Sequence, residues 1–223
     1  MRALIHLATR HRAATDFEAA FRAEVDRMRS TSAGSIVEIN SMSRLDDDLF
    51  GPCTPYRNTI EIVGGDSLAS DALPLVSGIG DRFADLVHRD LSTTLVGIDK
   101  VFIAPERTPV RYQYLMRRNA DFSHSSYLER YETIHSQFGL KTPGIHGYVQ
   151  LHVALDASKA LAEAAGVGTW EVDSVSELYL ESVETFLAAL GSLENDGGAR
   201  EDEEIFVDKA RSYDFASRVD WQT

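Results

Sequence analysis

Residues 109–153 read PVRYQYLMRRNADFSHSSYLERYETIHSQFGLKTPGIHGYVQLHV. Their pattern predicts a strand, a helix over residues 124–137, a Pro-Gly turn at residues 143–144, and a second strand. Tyr131 and His135 lie four residues apart, so a helix places both on one face. Because that face is apolar, the segment predicts an α+β unit with a histidine ring directed into it.

The rest of the chain repeats this order of elements. Apolar periodicity, caps and turn residues predict strands at 2–8, 35–45, 57–64 and 92–103 in the first half, and helices at 17–30 and 73–90. The order is β-α-β-β-α-β, which is the ferredoxin-like arrangement. In the second half we predict strands at 110–116, 145–155, 174–180 and 212–219, and helices at 124–137, 157–166 and 182–192, with a short one near residue 205.

Two tandem units account for this repetition. The linker APERTP, residues 104–109, holds two prolines and separates a unit at 1–104 from a unit at 109–223. A shift of 110 residues aligns Val25 with His135, so only the second unit keeps the histidine. Each four-stranded sheet has helices on one face and needs cover on the other. We therefore predict an α+β fold, in which two ferredoxin-like units form a fused dimeric-type α+β barrel with helices outside antiparallel sheets.

Composition excludes several classes of partner. The net charge of −13 argues against nucleic acid and against an anionic membrane surface, since both attract basic proteins. No apolar run is long enough to span a bilayer, and the first residues lack the core of a signal peptide. A single cysteine, Cys53, allows no internal disulfide. We therefore expect a cytoplasmic protein.

Polar side chains follow one face of the strand after Gly144. Alternation places His146, Tyr148, Gln150 and His152 on that face. Such a row predicts either the lining of a polar pocket or a half-wet rim of the barrel. Further residues are expected to form the walls of a substrate site: Tyr112, Tyr114, Trp170, Glu177 and Tyr179.

Metal chemistry and nucleotide binding find no support in the motifs. His146 and His152 are six residues apart on one strand, about 20 Å at the rise of a strand, and cannot share one ion. The glycine-rich piece SGIGD, residues 77–81, lacks the lysine or third glycine of a phosphate-binding loop. The sequence therefore predicts no metal site and no cofactor.

The second half resembles the EthD family of the dimeric α+β barrel superfamily. The resemblance covers residues 107–219 and rests on LMRR (115–118), LERYETIH (128–135), PGIHGYVQ (143–150) and VSELYLESVETFLAALGS (175–192). The family has an aromatic residue four positions before a helical histidine, which Tyr131 and His135 match. The SQFGL that follows departs from the usual Ala-Pro run.

This resemblance implies a protein that binds a small aromatic or polyketide-like molecule in the second unit. We expect a cofactor-independent lyase, cyclase or dehydratase. His135 would be the general base or acid, Tyr131 or Tyr148 a hydrogen-bond donor to an enolate oxygen, and His152 a second proton carrier. A core histidine bonded to a backbone carbonyl is the plainer interpretation of His135.

Three alternatives stay open: a non-catalytic ligand-binding accessory protein, a purely structural barrel, and a haem- or oxygen-dependent monooxygenase. In the last of these, His135 or His152 would ligate the iron. A homodimer is also compatible with the resemblance.

Overall fold

The computed structural model describes residues 1–10, 15–47, 50, 54–168, 171–191 and 198–222. The first half contains β1 (Arg2–Ala8), α1 (Thr15–Thr31), β2 (Ile36–Arg44), β3 (Tyr56–Gly64), α2 (Leu68–Val76), α3 (Ile79–Phe83) and β4 (Thr93–Ile103). The second half contains β5 (Val110–Met116), α4 (His124–Arg130), α5 (Ser136–Gly139), β6 (Tyr148–Val153), α6 (Leu155–Ala165), β7 (Ser174–Leu180), α7 (Val183–Gly191), α8 (Ala199–Phe206) and β8 (Tyr213–Asp220). A π-helical turn, Tyr131–His135, joins α4 to α5, and short 3₁₀ turns lie at Ala84–Leu86 and Lys209–Arg211.

The eight strands form a closed antiparallel barrel. Its order is β1-β3-β2-β8-β5-β7-β6-β4. The strands of each half are therefore contiguous, and both halves place their first and third strands at the centre of their own four. The halves meet at two seams, β2 with β8 and β4 with β6. The mixed α+β class and the antiparallel barrel that the sequence predicts are confirmed.

Alternation along β1 separates the inside of the barrel from the helices. Ala3, Ile5 and Leu7 face outward and pack with α1, α2, α3 and α6. Leu4 and Ala8 face inward with residues from both halves, so they belong to a different apolar cluster. Burial on both faces explains why β1 is an almost continuous apolar run.

Four charged side chains lie inside the barrel at one end: Arg2, Glu61, Arg111 and Glu177. Each arginine contacts both glutamates, and all four side chains are buried. Arg2 Nη1 lies 2.9 Å from Glu61 Oε1, and Arg111 Nη1 lies 3.6 Å from Glu177 Oε1. We call these residues the arginine–glutamate quartet. Because each of the four charged groups contacts two groups of opposite charge, none is left as an isolated buried charge.

The quartet occupies matching positions in the two halves. Leu4, two residues after Arg2, pairs with Glu61 between the first and third strands. Gln113, two residues after Arg111, pairs with Glu177 in the same way. The halves therefore share a register inside the barrel that their faint sequence identity does not reveal.

Two predicted elements differ from the structure by more than two residues at one or both ends. The helix predicted at 73–90 starts earlier, at Leu68, and stops at Val76, because Gly78 takes a left-handed conformation with φ 71° and begins a separate turn. The strand predicted from residue 145 begins only at Tyr148. The linker displaces the earlier residues, since Glu106 N–H donates to the His146 carbonyl and Pro105 lies against Gly147.

Within the described residues, no helix is both long and apolar enough to cross a membrane.

Candidate functional site

A continuous helix over residues 124–139 carries the two residues that the sequence singles out. We call this element, made of α4, the π turn and α5, the site helix. The Ser136 N–H reaches back five residues to the Tyr131 carbonyl, as a π turn requires. Such turns insert one extra residue and occur often at functional sites. Here the turn spans Tyr131 to His135, and both side chains are buried.

A carboxylate fixes the ring of His135. His135 Nδ1 donates to Asp202 Oδ2 at 3.0 Å. Since a carboxylate only accepts, the neutral ring carries its proton on Nδ1 and a lone pair on Nε2. Glu203 Oε1 stands 3.9 Å from Nε2. The plainer interpretation, a histidine bonded to a backbone carbonyl, does not describe this geometry.

Helix α8 supplies the carboxylate and much of the surrounding apolar surface. Asp202 is also ion-paired with Arg130, which holds α8 against the site helix. The Phe206 ring lies 5.3 Å from the His135 ring and 6.2 Å from the Tyr131 ring, centroid to centroid. Phe138 adds a third aromatic neighbour of His135, at 5.7 Å. Three aromatic rings therefore lie around the imidazole, and a carboxylate lies near each of its nitrogens.

Strand β6 forms the opposite wall. Gln150 Nε2 donates to the Tyr148 hydroxyl at 2.6 Å and to the Tyr131 carbonyl at 3.1 Å. The other amide atom, Gln150 Oε1, accepts from His152 Nε2 at 3.1 Å. Because the Tyr148 oxygen accepts from Gln150, its own proton is available to another acceptor. Three of the four residues predicted for this strand face are thus joined by hydrogen bonds.

Tyr131 connects the two histidines. Its ring lies 5.7 Å from the His135 ring and 5.9 Å from the His152 ring. Its hydroxyl lies near the side chains of Tyr148 and Ser176 but forms no hydrogen bond. The structure therefore brings the four predicted catalytic residues into one cluster between β6 and the site helix.

Burial sets the ionisation of these groups. It lowers the pKa of His135, and the hydrogen bond to Asp202 opposes that change only in part. It lowers the pKa of His152 to about 4, against a smaller opposing effect of Glu132. It raises the pKa of Tyr148 to about 12. At neutral pH both imidazoles are therefore available as bases and the phenol as a donor.

The predicted wall residues divide between several regions. Tyr114 lies on the outer face of β5 and packs in the cluster that contains Tyr131 and Phe206. Tyr112 belongs to a neighbouring cluster, where its hydroxyl donates to Asp214 at 3.1 Å. Only Tyr114 of these two strand tyrosines therefore adjoins the histidine cluster.

Three other predicted wall residues lie elsewhere, and Trp170 falls outside the described residues. Glu177 and Tyr179 point into the barrel, because they alternate with the outward residues of β7. Glu177 belongs to the arginine–glutamate quartet. The Arg111 guanidinium lies 4.5 Å from the centre of the Tyr179 ring. His146 precedes β6 and is half-exposed, with Nδ1 3.2 Å from Glu106 Oε2. The expected row of four on β6 is therefore a row of three.

Asp202, which is bonded to His135, is a residue of this cluster that the sequence analysis missed. It lies 67 residues after His135, within an acidic stretch whose composition is typical of a solvated loop. Its one local signal is the apolar pair Ile205 and Phe206, which predicts a short helix but not its orientation. Glu132 was missed as well; its carboxylate lies 3.0 Å from Lys100 Nζ and 4.0 Å from His152 Nδ1.

Neither a metal ion nor haem fits the described residues as they stand. No group of three or more histidine, cysteine, aspartate or glutamate side chains in the described part of the chain is arranged to hold a metal. A haem iron at His135 would need open space before Nε2, which instead faces Glu203 and adjoins the ring of Phe206. At His152 the Nε2 atom is already bonded to Gln150.

Comparison with known proteins identifies a domain and a fold. The family model of the EthD domain matches residues 119–210, within the region whose resemblance the sequence indicates. No curated protein matches the chain.

Solved structures share the fold at low sequence identity. An anthrone oxidase-like protein is 11% identical with a TM-score of 0.60, covering 99% of this chain and 92% of its own. A proposed monooxygenase from Fusobacterium nucleatum subsp. nucleatum is 8% identical with a TM-score of 0.54, covering 98% and 91%. A mutant chlorite dismutase from Candidatus Nitrospira defluvii, in complex with cyanide, is 11% identical with a TM-score of 0.54, covering 98% and 90%. At these identities the likeness concerns the barrel alone.

Proposed function

We propose that residues 119–210, which match the family model of the EthD domain, bind a small aromatic or polyketide-like molecule and catalyse proton transfer on it without a cofactor. The proposed reaction is a cyclisation, a dehydration or another lyase reaction of a carbon acid. The hydrogen bond between His135 and Asp202 carries the proposal. A carboxylate that fixes the tautomer of an imidazole is a recurrent device for making the other ring nitrogen a base.

In this mechanism His135 Nε2 removes a proton from a carbon next to a carbonyl group. Asp202 holds the ring in place and stabilises the imidazolium that forms. The lowered pKa of His135 keeps Nε2 unprotonated at neutral pH. The side chain of Glu203 would have to move aside, because it stands 3.9 Å from Nε2.

Tyr148 would stabilise the enolate. Its oxygen already accepts from Gln150, so its own proton can be donated to the developing oxyanion. Its raised pKa of about 12 keeps that proton on the phenol. His152, whose Nε2 bonds to Gln150, would be the second proton carrier. Tyr131 and Tyr114 would supply aromatic surface.

The proposal extends to the organisation of the chain. Two ferredoxin-like units in tandem, a degenerate one at 1–104 and the EthD-like one at 109–223, would give one reactive site rather than two. The matching registers of the quartet support this division. A cytoplasmic setting and a homodimer through outer surfaces complete the proposal.

A non-catalytic binding protein is the second candidate. The aromatic enclosure of His135 by Phe206, Phe138 and Tyr131 would suit ligand binding as well as catalysis. The two candidates differ in what Asp202 does, since a binding site gains nothing from fixing a basic tautomer.

An exchange experiment tests the proposal. The probe is benzoylacetone, a small aromatic carbon acid, and the measurement is protein-dependent uptake of solvent deuterium at its acidic carbon. We expect His135→Gln to reduce the rate by about 10²–10⁴-fold, the usual contribution of a general base. Asp202→Asn should lower the rate at neutral pH and change its pH profile, while His88→Gln, an exposed control, should change neither.

The outcomes separate the candidates. Binding of benzoylacetone without faster exchange in the wild type would overturn catalysis and leave the binding protein. An equal loss of folding in His135→Gln and Asp202→Asn, seen by thermal unfolding, would make the pair structural. The Tyr148→Phe variant then decides, since it should lower turnover without disturbing His135.

A further inference from the structure

The side chain of Glu203 stands in the place that a substrate of His135 needs. Its Oε1 atom lies 3.9 Å from His135 Nε2, the nitrogen that the proposed mechanism uses as a base. Its Oε2 atom lies 3.4 Å from Lys209 Nζ. One carboxylate is therefore placed between an imidazole and an ammonium group, with one oxygen facing each of them.

Helix α8 and the turn that follows it position this carboxylate and the lysine. Asp202 and Phe206 are buried on the face of α8 that packs on the site helix, and the Glu203 side chain, 20% exposed, lies at the edge of that face. Lys209 begins the 3₁₀ turn after α8, and its ammonium group donates to the Arg200 carbonyl at 3.1 Å. The lysine is thereby anchored to the same helix as the glutamate.

His135 does not hold the Glu203 carboxylate in this place. Because His135 Nδ1 donates to Asp202, Nε2 of the neutral ring presents a lone pair to a group that also only accepts. The separation of 3.9 Å is too long for a hydrogen bond. The ion pair of Glu203 with Lys209 is half-exposed on the lysine side, and such pairs contribute little to stability. Breaking this pair therefore costs little.

Lys209 is the cation that can change its partner. Two cations lie close enough to His135 to lower the pKa of its ring, Arg130 and Lys209. Arg130 is ion-paired with Asp202, which also holds His135 Nδ1, so a ligand that captured Arg130 would loosen the imidazole. The ammonium group of Lys209, in contrast, faces the one side chain that has to leave Nε2 before a substrate can reach it.

We propose that Lys209 binds a carboxylate group of the substrate in the position that Glu203 occupies. The substrate class is then an aromatic carbon acid with a carboxylate next to its acidic carbon, that is, an aromatic β-keto acid. Without substrate, the Glu203 carboxylate covers Nε2 and neutralises Lys209. This inference rests on the proposed function, because it takes His135 as the base, but carboxylate binding can be measured without any turnover.

A β-keto acid matches the groups on both walls of the site. With its carboxylate on Lys209, its acidic carbon lies next to His135 Nε2. The proton passes from that carbon to Nε2, and the electron pair of the C–H bond moves onto the ketone oxygen, which accepts a hydrogen bond from Tyr148. The ammonium group offsets one of the two negative charges that the resulting enolate carries. The rings of Phe206 and Phe138 adjoin His135 and suit the aromatic part.

Two matched probes test the carboxylate position. Hydrocinnamate and hydrocinnamamide have the same aromatic part and differ in charge, and neither has the acidic carbon of a β-keto acid. An NMR titration that follows the His135 ring gives both dissociation constants. The wild type should bind the acid about tenfold more tightly than the amide, the lower end for one charge-assisted hydrogen bond. Lys209→Gln should remove this preference, and Lys209→Arg should keep most of it because it keeps the charge.

Replacement of the glutamate should have the opposite sign. Glu203→Gln removes the group that competes with the carboxylate of the probe. Hydrocinnamate should therefore bind about two- to fivefold more tightly than it binds the wild type, the size of a half-exposed ion pair. Binding of hydrocinnamamide should not change. Lys159→Gln, which removes an exposed lysine on α6, is the matched control and should bind both probes as the wild type does.

The outcomes separate this inference from the proposed function. Equal or undetectable binding of the two probes in the wild type and in Glu203→Gln would overturn the carboxylate position. A preference for the acid that survives Lys209→Gln would overturn it as well. If hydrocinnamate binding requires Lys209 but benzoylacetone exchange does not require His135, the carboxylate position stands and only the acid–base chemistry is overturned.

Discussion

The two halves of the chain match inside the barrel and differ outside it. Inside, Arg2 and Glu61 correspond in register to Arg111 and Glu177, and the four form one connected set of ion pairs, to which Asp99 is joined through Arg2. Outside, the corresponding positions on the first helix of each half have diverged. Val25 packs among apolar side chains, whereas His135 is bonded to Asp202.

The difference separates two kinds of constraint. The quartet spans both halves, since Arg2 contacts Glu177 and Arg111 contacts Glu61. A change in one half therefore removes partners in the other. On the outer faces, the apolar cluster around Val25 includes α6 of the second half, whereas the neighbours of His135 come from the second half. The surroundings of one position can therefore be apolar while those of the other keep polar groups. Three experiments address this comparison.

The largest effect should come from opening the quartet. Arg111→Ala leaves Glu61 and Glu177 short of a partner in a buried site, which costs about 3–5 kcal/mol of unfolding free energy. Arg2→Ala should cost at least as much, because Arg2 contacts the same two glutamates and also Asp99. Denaturant unfolding measures both, and Arg107→Ala, with an exposed ion pair to Glu38, should cost less than about 1 kcal/mol. A much smaller cost for Arg2→Ala than for Arg111→Ala would contradict the matched roles.

An intermediate effect is expected from restoring a histidine to the first half. Val25→His would bury imidazole nitrogens in an apolar cluster with Phe17, Phe21 and Met28. The unmet hydrogen bonds should cost about 1–3 kcal/mol. Val25→Leu adds comparable volume without polar atoms and is the matched control. Equal unfolding midpoints for the two variants would mean that the first half also offers a polar partner at this position.

The smallest effect at neutral pH concerns His152. Its pKa of about 4 lies below the ordinary 6.5, so the unfolded chain binds this proton first as pH falls. The contribution of His152 to the free energy of unfolding is fully present above pH 6.5 and is lost as the pH falls toward 4. His152→Gln should remove that part of the pH dependence while changing the thermal midpoint little at pH 7.5. An NMR titration of the His152 ring with a midpoint near 6.5 would contradict a pKa lowered by burial.

Local patterns were sufficient for most of the fold. The bounds predicted for β5 and β7 are those found, and the site helix differs only at its end. Each of these elements has periodicity or caps within its own residues. The predicted bounds of the helix at 73–90 and the predicted start of β6 were wrong. Each depends on one local feature: the left-handed conformation of Gly78 for the helix, and the linker that lies beside Gly147 for β6.

The candidate site was predictable only in part. Alternation placed Tyr148, Gln150 and His152 together correctly, and helical spacing placed Tyr131 beside His135. The bond from His135 to Asp202 joins residues 67 apart, and no spacing rule reaches that far. Glu177 and Tyr179, which were expected to line a substrate site, instead contact the arginines inside the barrel, where ion pairs fill the space.

The pairing of β2 with β8 also has a consequence for the order of synthesis. Ser41 to Arg44 pair with residues 217–220, so the first half keeps an open strand edge until nearly the whole described chain has been made. At 5–20 residues per second, that interval is roughly 10–30 s. Throughout it the nascent first half has an edge that another chain could pair with. A ribosome that stalls after the linker would therefore release a fragment prone to aggregate, although the finished barrel has no free edge at that seam.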